Sequence, residues 1–546
     1  MNEYLIEVIQ NALKQFEGLE TLPEIQIRKP KSADHGDAAT NVAMMLAKPL
    51  KMNPRAIAEQ LIQNMEVDSS KIEAMEIAGP GFINCRFASD YLVGSLKNIL
   101  AQGESYGQTK ALSGKKIQVE FVSANPTGPL TVGHGRNAVL GDTIARLYEW
   151  NGADVTREYY FNNAGRQMRV LGQSVQARYH ELFNSETAIF PEGGYEGEYI
   201  IDIAKEIKSE HGEQYLSEEG HEFFKERAES EIFKDIKQTL KRMSIEMNSF
   251  YYEPSLYDSK AIEEVVQKLR DKGLVYEKDG ASWLKTTEFG KEKDTVLIKS
   301  TGEPTYRLPD IAYHITKLDR GFDLAVDIFG ADHIDTYPDV KNAVKALGYD
   351  DNRIDVLVYQ FVTIVKDGKP FRMSTRKANF ITLDELMDEV GSDVTRFFFL
   401  MRSPNTHLEF DIAEAREASD KNPVFYLQYA HARIQSVSRK ATEHYEGQLK
   451  AEADFAHLTH KSEEALIKSL NRLPHFIQQS AEFKEPHRLI TYLNDIASLF
   501  TTFYHDCRII GVDADFAHAR MELAKATALV LRNGLKILGI KAPDKM

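Results

Sequence analysis

One stretch, residues 117–160, constrains the fold more than any other part of this 546-residue sequence. Residues 117–122 are rich in β-branched and aromatic side chains, and the prolines and glycines of the next loop exclude both strand pairing and an immediate helix. Apolar residues then recur at three- and four-residue spacings from about Gly133 to Trp150, which predicts a helix, and residues 154–161 predict a second strand. A strand, a helix and a strand in this order form a βαβ unit, so we expect a parallel sheet.

The junction between the first strand and the helix carries the residues best suited to chemistry. The unpaired N–H groups and positive dipole end of a helix N-terminus suit a phosphate chain. Gly133 and Gly135 lack a Cβ and let a ligand approach the backbone, while the imidazole of His134 can donate a hydrogen bond to a phosphoryl oxygen. The pattern predicts a nucleotide site for adenylyl transfer. The alternative is an ordinary glycine-rich turn with a surface histidine.

The sequence VEFVSANPTGPLTVGHGRNAVLGD at this junction resembles the HIGH signature of class I aminoacyl-tRNA synthetases, and specifically that of bacterial arginyl-tRNA synthetases. The resemblance implies ATP contacts at several residues of the loop and helix start: Pro126, Gly128, Gly133, His134, Gly135 and Asn137. It implies catalytic roles for His134 and Thr131. Thr131 replaces the first histidine of the signature, and its hydroxyl cannot carry the positive charge of an imidazolium. We expect this replacement to affect the rate more than the mode of binding.

Composition places the chain among ordinary globular proteins. Hydrophobic residues make up 42% and charged residues 27%, and the length predicts three or four domains. No apolar run has membrane-spanning length and no leader follows Met1, so we expect a cytoplasmic protein with no membrane partner. The two cysteines are too few for a disulfide framework or a zinc site. The net charge of −15 argues against a general nucleic-acid coat but allows a local RNA-binding surface.

The order of elements predicts three domains and a multidomain α/β fold. Residues 1–110 form an α+β unit whose HGDAATN and GPGFIN sequences resemble the additional N-terminal domain of arginyl-tRNA synthetases, which implies contact with the elbow of tRNA. Residues 111–400 are expected to form a Rossmann-like catalytic domain of the class I type, with a mostly helical insertion at about residues 175–290. Residues 401–546 have the pattern of an all-α bundle.

A second group of polar residues suits recognition of a guanidinium. This planar, always charged group is best held by carboxylates in fork geometry beside an aromatic face. Residues 295–299 are expected to return to the sheet. Tyr306 and Asp310 follow them four residues apart, so they share a face if the segment is helical, and Glu120 offers another carboxylate near the same sheet edge. Spacing alone also allows Asp310 to be the N-cap of a helix beginning at Ile311.

Arginyl-tRNA synthetases carry matching residues, and the resemblance implies arginine contacts at these positions: Glu120, Ser123, Asn125, Tyr306, Asp310 and His333. In the family, the acids bind the guanidinium and the Asn helps to hold the amino-acid backbone. His333 ends the sequence Gly-Ala-Asp-His after a predicted strand, where the family lines its arginine and adenosine sites. No protein-bound metal is predicted, because no partner ligand lies at a suitable spacing from His333.

Residues 371–377, Phe-Arg-Met-Ser-Thr-Arg-Lys, fall where class I synthetases place the mobile KMSKS loop that closes on the ATP phosphates. Cations are required there because the leaving pyrophosphate is negatively charged. Thr375 replaces the second lysine of KMSKS. The resemblance implies catalytic roles and ATP contacts at neighbouring positions: Arg372, Arg376 and Lys377 in catalysis, and Met373 and Ser374 on ATP. An ordinary solvated basic loop would have the same composition.

The C-terminal part contains a helical pattern that places Tyr426, Tyr429 and Arg433 on one face. Aromatic rings beside a cation suit single-stranded bases, although aromatic pairs on a helix more often belong to a core. The surrounding sequence and the terminal LKILGIKAPDKM resemble the anticodon-binding domain named for its DALR motif. This resemblance implies tRNA contacts at five positions: Asn422, Tyr426, Tyr429, Arg433 and Met546.

Five motifs in the family's order cover nearly the whole chain and imply the family's reaction. ATP and L-arginine would condense to arginyl-adenylate with loss of diphosphate, and the arginyl group would pass to the terminal adenosine of tRNA(Arg). ATP with Mg²⁺ would be the substrate complex, and we expect a monomer.

Two alternatives remain at this stage. A small-molecule nucleotidylyltransferase shares the histidine motif at a helix start but does not need the long helical C-terminal part. A non-catalytic tRNA-binding relative is suggested by Thr131 and Thr375, whereas Glu120, Tyr306 and Asp310 argue against it.

Overall fold

The computed structural model describes residues 2–19, 21–23, 25–28, 30, 35–163, 165–184, 188–216, 221–366, 369–370, 381–417, 419 and 421–546. Its elements fall into three groups along the chain. Within the described ranges, every helix is too short or too polar to span a bilayer.

The N-terminal group packs helices against an antiparallel sheet of order β1-β2-β4-β3. Its elements are α1 Asn2–Leu13, β1 Ile27–Arg28, β2 Ala38–Thr40, α2 Val42–Leu50, α3 Pro54–Asn64, β3 Ile72–Ala78, β4 Phe82–Phe87 and α4 Ser89–Gln102. Asn53 caps α3 by accepting a hydrogen bond from the N–H of Arg55, and Pro54 fits the first helical position because it needs no hydrogen-bond partner there.

The central group is built on a parallel sheet whose order, among the described residues, is β12-β11-β5-β6-β7. Its elements are β5 Lys116–Glu120, α5 Val132–Trp150, β6 Asp154–Phe161, α6 Gly165–Glu181, α7 Glu198–His211, α8 His221–Arg242, β7 Ser249–Tyr252, α9 Pro254–Asp258, α10 Ala261–Asp271, β8 Val275–Lys278, β9 Ala281–Leu284, β10 Thr295–Ile298, α11 Arg307–Asp319, β11 Leu324–Gly330, α12 Tyr337–Ala346, β12 Ile354–Tyr359, β13 Val362–Lys366, β14 Lys369–Pro370, α13 Leu383–Val390, α14 Ser392–Leu400, β15 Leu408–Asp411 and α15 Ile412–Arg416. The predicted βαβ unit is confirmed, since α5 connects the paired strands β5 and β6. The carboxyl ends of these strands meet at one edge, where ligands of open parallel sheets bind.

Two expectations about the central group need correction. The segment expected to be mostly helical, at about residues 175–290, also contains β7, which is the edge strand of the central sheet beside β6. β10 does not return to that sheet but pairs with β9 in a separate antiparallel sheet of order β10-β9-β8. Short strands carry similar propensities whichever sheet they join, so their sequence does not identify the partner.

The C-terminal group is a helical bundle of α16 Pro423–His444, α17 Lys461–Leu470, α18 Leu473–Glu482, α19 His487–Asp506 and α20 Ala514–Leu538. It is fastened to the central group by Arg396, which is fully buried on α14. The guanidinium of Arg396 donates to the carbonyls of Leu538 and Met243, at 2.8 and 2.7 Å, and pairs with Asp142 of α5 at 2.7 Å. Residue 539 must be glycine, because its φ is +71° and a Cβ there would lie 2.3 Å from the guanidinium.

Candidate active site

The chain leaves β5 through a strained turn at the carboxyl edge of the sheet. Val122 has a φ of 66°, a left-handed conformation that β-branched residues seldom adopt. Asn137 of α5 holds this turn: its Oδ1 accepts from the N–H of Val122 at 2.5 Å, and its Nδ2 donates to the carbonyl of Ile328 at 2.7 Å. The buried amide of Asn137 thus connects the ends of β5 and β11, and its contact with ATP stays a prediction.

His134 stands in the first turn of α5, and the backbone defines its tautomer. Its Nδ1 lies 3.1 Å from the backbone nitrogen of Thr131 and accepts that N–H. An accepting nitrogen carries no proton, so the proton of the neutral ring is on Nε2. Burial lowers the pKa of His134, which keeps the ring neutral at pH 7. His134 is thus a hydrogen-bond donor through Nε2 rather than a cation.

The two glycines of the helix start have different surroundings. Gly133 is exposed, and a Cβ there would meet only the hydroxyl of Thr131, at 3.7 Å. Gly135 is buried, and a Cβ there would lie 2.6 Å from Leu383 and 2.9 Å from Phe399. The geometry leaves Gly133 open to a ligand, whereas Gly135 is required for packing against α13 and α14, and a ligand contact at Gly135 stays a prediction.

The loop before α5 contacts α7. Tyr199 donates its hydroxyl proton to the carbonyl of Thr127 at 2.7 Å, and a Cβ at Gly128 would lie 2.9 Å from the same hydroxyl. Gly128 is therefore needed for this contact, and Pro126 beside it is buried. Any contact of these two residues with ATP stays a prediction.

Arg372, Met373, Ser374, Thr375, Arg376 and Lys377 lie outside the described residues. The segments on either side are attached to the start of α5. Leu383 donates its N–H to the carbonyl of Leu130 at 2.7 Å, and Val132 donates to Ile381 at 3.3 Å. On the other side, the guanidinium of Arg136 donates to the carbonyl of Gln360 at 2.6 Å, two residues before β13 begins.

Glu120 ends β5 with its carboxylate shared between two donors. Lys317 of α11 approaches Oε2 at 2.5 Å, and Ser123 donates its hydroxyl proton to Oε1 at 2.9 Å. Lys317 is fully buried and lies 2.5 Å from Asp327 of β11, whose second oxygen is 2.8 Å from His314. Burial alone would raise the pKa of Asp327, but Lys317 and His314 outweigh burial and hold it well below its ordinary range. The carboxylates of β5 and β11 therefore share one ammonium.

Asp310 lies close enough to both Glu120 and Glu253 to interact with their charges. Asp310 is the fourth residue of α11, so the alternative that it caps a helix beginning at Ile311 is wrong. Burial raises the pKa of Asp310 to about 6, and the charges of Glu120 and Glu253 act in the same direction. Glu253, directly after β7, is buried and accepts the hydroxyl proton of Tyr160 at 2.9 Å. Carboxylates from three elements gather here beside aromatic rings, an arrangement that fits a guanidinium.

The remaining residues predicted to contact arginine lie around this acidic pocket with different surroundings. Tyr306 precedes α11 and is 76% exposed, so its ring is open to solvent although its carbonyl accepts the N–H of Asp310 at 3.3 Å. Asn125 donates to the side chain of Gln167 at 2.8 Å in the loop after β5. His333 ends the short turn after β11, and only its backbone is described.

The face predicted to contact RNA lies on α16. Tyr429 is 51% exposed, Tyr426 packs partly against the core, and the guanidinium of Arg433 lies 4.5 Å above the ring of Tyr504. Asn422 is fully buried, where it caps α16 through the N–H of Val424 and donates to the carbonyl of Ala415 at 3.0 Å. The RNA contact predicted for Asn422 needs correction, because its side chain has no exposed surface. Met546 is exposed at the end of the chain.

Among the described residues, no three His, Cys, Asp or Glu side chains are grouped so that they could hold a metal ion. The polar residues at the sheet edge are paired with Lys317, His314 and backbone groups instead.

Three family models match successive parts of the chain. The model described as arginyl tRNA synthetase N terminal domain matches residues 3–87, and that described as tRNA synthetases class I (R), catalytic domain, matches residues 95–430, more than half of the chain. The chain belongs to the arginyl-tRNA synthetases. Residues 427–546 match the DALR anticodon binding domain, so the C-terminal helical bundle corresponds to this domain of the family.

Curated relatives agree with this membership. The arginine–tRNA ligase of Salinibacter ruber is 53% identical over 567 aligned residues, with all of both chains covered. That of Desulfotalea psychrophila is 50% identical and covers 95% of this chain and 94% of its own. The solved arginyl-tRNA synthetase of Thermus thermophilus covers both chains fully with a TM-score of 0.79 at 20% identity, which shows the shared fold.

Sequence reasoning missed three residues of this arginyl-tRNA synthetase's acidic pocket: Glu253, Tyr160 and Lys317. A strand assignment for residues 249–252 would have placed Glu253 at the carboxyl edge of the sheet. Lys317 follows Asp310 by seven residues, two helical turns, so the spacing on α11 carried a signal that the two groups share a face.

Proposed function

We propose that this chain is an arginine–tRNA ligase that uses ATP to activate L-arginine and then transfers the arginyl group to tRNA(Arg). The observation that carries the proposal is the position of the acidic pocket of Glu120, Asp310 and Glu253. It lies at the same sheet edge as the start of α5, where His134 offers a donor for phosphate. An amino acid with a cationic end and a nucleotide with an anionic end would therefore meet at one edge.

The guanidinium of arginine would bind among the three carboxylates. Ser123 and Lys317 hold the carboxylate of Glu120 in place, so it does not have to reorganise when the substrate arrives. Asp310, with a pKa of about 6, is ionised at pH 7 and supplies the second charged acceptor. Tyr306 and Asn125 at the rim, with His333 near the end of β11, would contact the rest of the amino acid.

The phosphates of ATP, which arrives with Mg²⁺, would lie at the start of α5. Exposed Gly133 gives the triphosphate access to the helix N-terminus, and the Nε2–H of His134 donates to the α-phosphate as charge builds up there. Arg372, Arg376 and Lys377 would neutralise the leaving diphosphate. Support for their proximity comes from residues 381–383, which bond directly to residues 130–132 beside His134.

The tRNA would contact the first and third of the domains, which we place at residues 1–110, 111–400 and 401–546. Exposed Tyr429, together with Tyr426, Arg433 and Met546, marks the bundle's share of the RNA surface. We also propose that the enzyme acts as a monomer in the cytoplasm.

The experiment that tests the function is exchange of radiolabelled diphosphate into ATP with each of the twenty amino acids, with and without total tRNA. We expect arginine to be the one amino acid of the twenty that supports exchange, and we expect it to be charged onto tRNA(Arg). Exchange with another amino acid would contradict the assignment of the acidic pocket. Absence of exchange under every condition, with tRNA still bound, would support a non-catalytic tRNA-binding protein instead.

A further inference from the structure

A cavity of about 310 Å³ lies between the N-terminal group and the helical bundle, far along the chain from the residues of the acidic pocket. One wall is a single face of α17 and the residues after it, which line the cavity at three- and four-residue intervals from Lys461 to Arg472. The other wall is formed by β1, the turn at Gly36 and the end of β4. Its volume is at the lower end of the range for small-ligand pockets.

The N-terminal group and the bundle are joined by contacts at this cavity. Lys468 of α17 pairs with Asp37 at 2.9 Å, and Asp37 also accepts the N–H of Phe87 at 2.8 Å. Asn471 donates to the hydroxyl of Ser95 on α4 at 2.6 Å. The cavity is therefore a built feature of the folded chain, with a shape set by contacts between its N-terminal and C-terminal parts.

Its lining is cationic although the chain as a whole carries a net charge of −15. Five of the lining side chains are basic and two are acidic, and both acids, Asp37 and Glu464, are paired with Lys468. A local excess of positive charge in an acidic protein attracts an anion to this place rather than to the surface in general.

Arg472 is the lining side chain best placed to bind an anion. It is partly buried, and burial lowers the pKa of its guanidinium. It lies 5.0 Å from the centre of the Phe476 ring, and the nearby Tyr492 and Asp495 act to raise its pKa, but within the described part of the chain its guanidinium makes no hydrogen bond or ion pair. Lys461, at the start of α17, also has no ion-pair partner among the described residues. A guanidinium whose N–H groups have no hydrogen-bond acceptor can donate them to the oxygens of a phosphate.

We propose that this cavity binds a phosphate group of the tRNA backbone through Arg472 and Lys461, an inference that rests on the proposed function. The bundle that forms one wall matches the DALR anticodon binding domain, so an RNA backbone would pass along the same part of the enzyme. The apolar side chains of Ile27, Phe87 and Leu499 would lie against the sugar next to that phosphate. The contact would clamp RNA between the two domains that flank the catalytic one.

The test compares Arg472→Gln and Lys461→Gln with wild type in filter binding of a tRNA(Arg) transcript over a series of salt concentrations. Each variant should reduce the magnitude of the slope of log K against log salt by about 0.8. When the salt is lowered from 1 M to 0.1 M, the variant should therefore gain about sixfold less affinity than the wild type. The KM for tRNA in charging should rise with kcat unchanged. Arg472→Lys, which keeps a cation, should restore most of the slope.

Lys234→Gln is the matched control, because Lys234 is an exposed lysine of α8 away from the cavity. Unchanged slopes in both cavity variants would overturn the proposal, whatever their effect on thermal stability. A wild type that binds and is stabilised by inorganic phosphate, with this effect lost in Arg472→Gln and the tRNA slope unchanged, would assign the cavity to a free phosphorylated ligand and also overturn it. Failure of the wild type to charge tRNA(Arg) would instead refute the proposed function.

Discussion

The Nδ1 of His134 accepts a hydrogen bond from the main-chain N–H of Thr131, which is present whatever the side chain there, while the hydroxyl of Thr131 lies 3.2 Å from the same nitrogen. The threonine that replaces a histidine of the family signature can therefore be changed without disturbing the tautomer of His134. We predict that Thr131→Ala changes kcat of arginine activation by less than about threefold, whereas His134→Ala lowers it by about 10² to 10³, the usual cost of losing one preorganised donor.

Steady-state diphosphate exchange with tRNA present measures both effects. His134→Asn, which keeps a side-chain N–H, serves as the intermediate case. Equal losses in Thr131→Ala and His134→Ala would show that the hydroxyl itself contacts the reacting phosphate.

Arginine affinity should depend on the ionisation of Asp310. Burial raises the pKa of Asp310 to about 6 in the free enzyme, and a bound guanidinium favours the charged carboxylate. Affinity is therefore full above pH 7 and falls as the pH decreases through 6, because a proton must then be released on binding. Asp310→Asn should remove this dependence and weaken arginine binding at pH 7.5 by about 10- to 100-fold. Calorimetric titration from pH 5.5 to 8 measures it.

Asp319→Asn, at the exposed end of the same helix, is the control and should keep the wild-type profile. A pH dependence that survives in Asp310→Asn would assign it to Glu120 or Glu253.

Lys317 should contribute strongly to stability, because it is the shared cation of two buried carboxylates. Lys317→Met leaves Glu120 and Asp327 without their partner, and breaking a buried pair in this way costs about 3–5 kcal/mol. We expect the midpoint of thermal unfolding to fall by about 3–8 °C, since the unfolding entropy of a large unit is high. Lys205→Met, which breaks an exposed pair with Asp202, should cost less than about 1 kcal/mol.

The KM for arginine shows whether Lys317 positions Glu120 for the substrate or only stabilises the fold. Lys317→Arg keeps the charge and should recover part of the stability while raising the KM for arginine, because the larger group shifts the carboxylate of Glu120. A variant with lower stability and an unchanged KM would show that Lys317 does not position Glu120 for the substrate.

Substitutions on α16 should distinguish residues that bind RNA from residues that stabilise the fold. Tyr429 is half exposed and Tyr426 packs partly against the core. Tyr429→Ala should lower tRNA affinity by about 5- to 100-fold, since stacking of a base on an aromatic ring contributes about 1–3 kcal/mol. Asn422→Ala should leave tRNA affinity unchanged and cost about 1 kcal/mol of stability through loss of the helix cap. Filter binding and thermal unfolding of the same preparations distinguish these outcomes.

The local architecture of the site follows from the sequence. The periodicity of residues 133–150 and the β-rich segments on either side predict α5 and its two strands, and the structure reproduces them to within a few residues. Such patterns report the burial of one face, which is a local property. The prediction for residues 175–290 fails at β7 because a strand of four residues has too few positions to show a period.

The composition of the acidic pocket does not follow from local pattern. Glu253 and Lys317 lie 133 and 197 residues from Glu120, and only the assembled sheet brings the three together. The packing need at Gly135 was also missed, because the neighbours that exclude a Cβ there, Leu383 and Phe399, come from distant helices. Residues that serve the site by packing or by positioning are therefore the ones that sequence alone does not reveal.

The buried guanidinium of Arg396 sets the smallest piece of this chain that can be produced in a working form. Its acceptors come from the end of α20, from the residue after α8 and from Asp142 of α5, the helix that also carries His134. A fragment that stopped before Leu538 would keep every residue of the acidic pocket, yet it would leave a buried cation short of an acceptor beside α5. The boundary between the catalytic and RNA-binding parts is thus not a place where the gene can be cut.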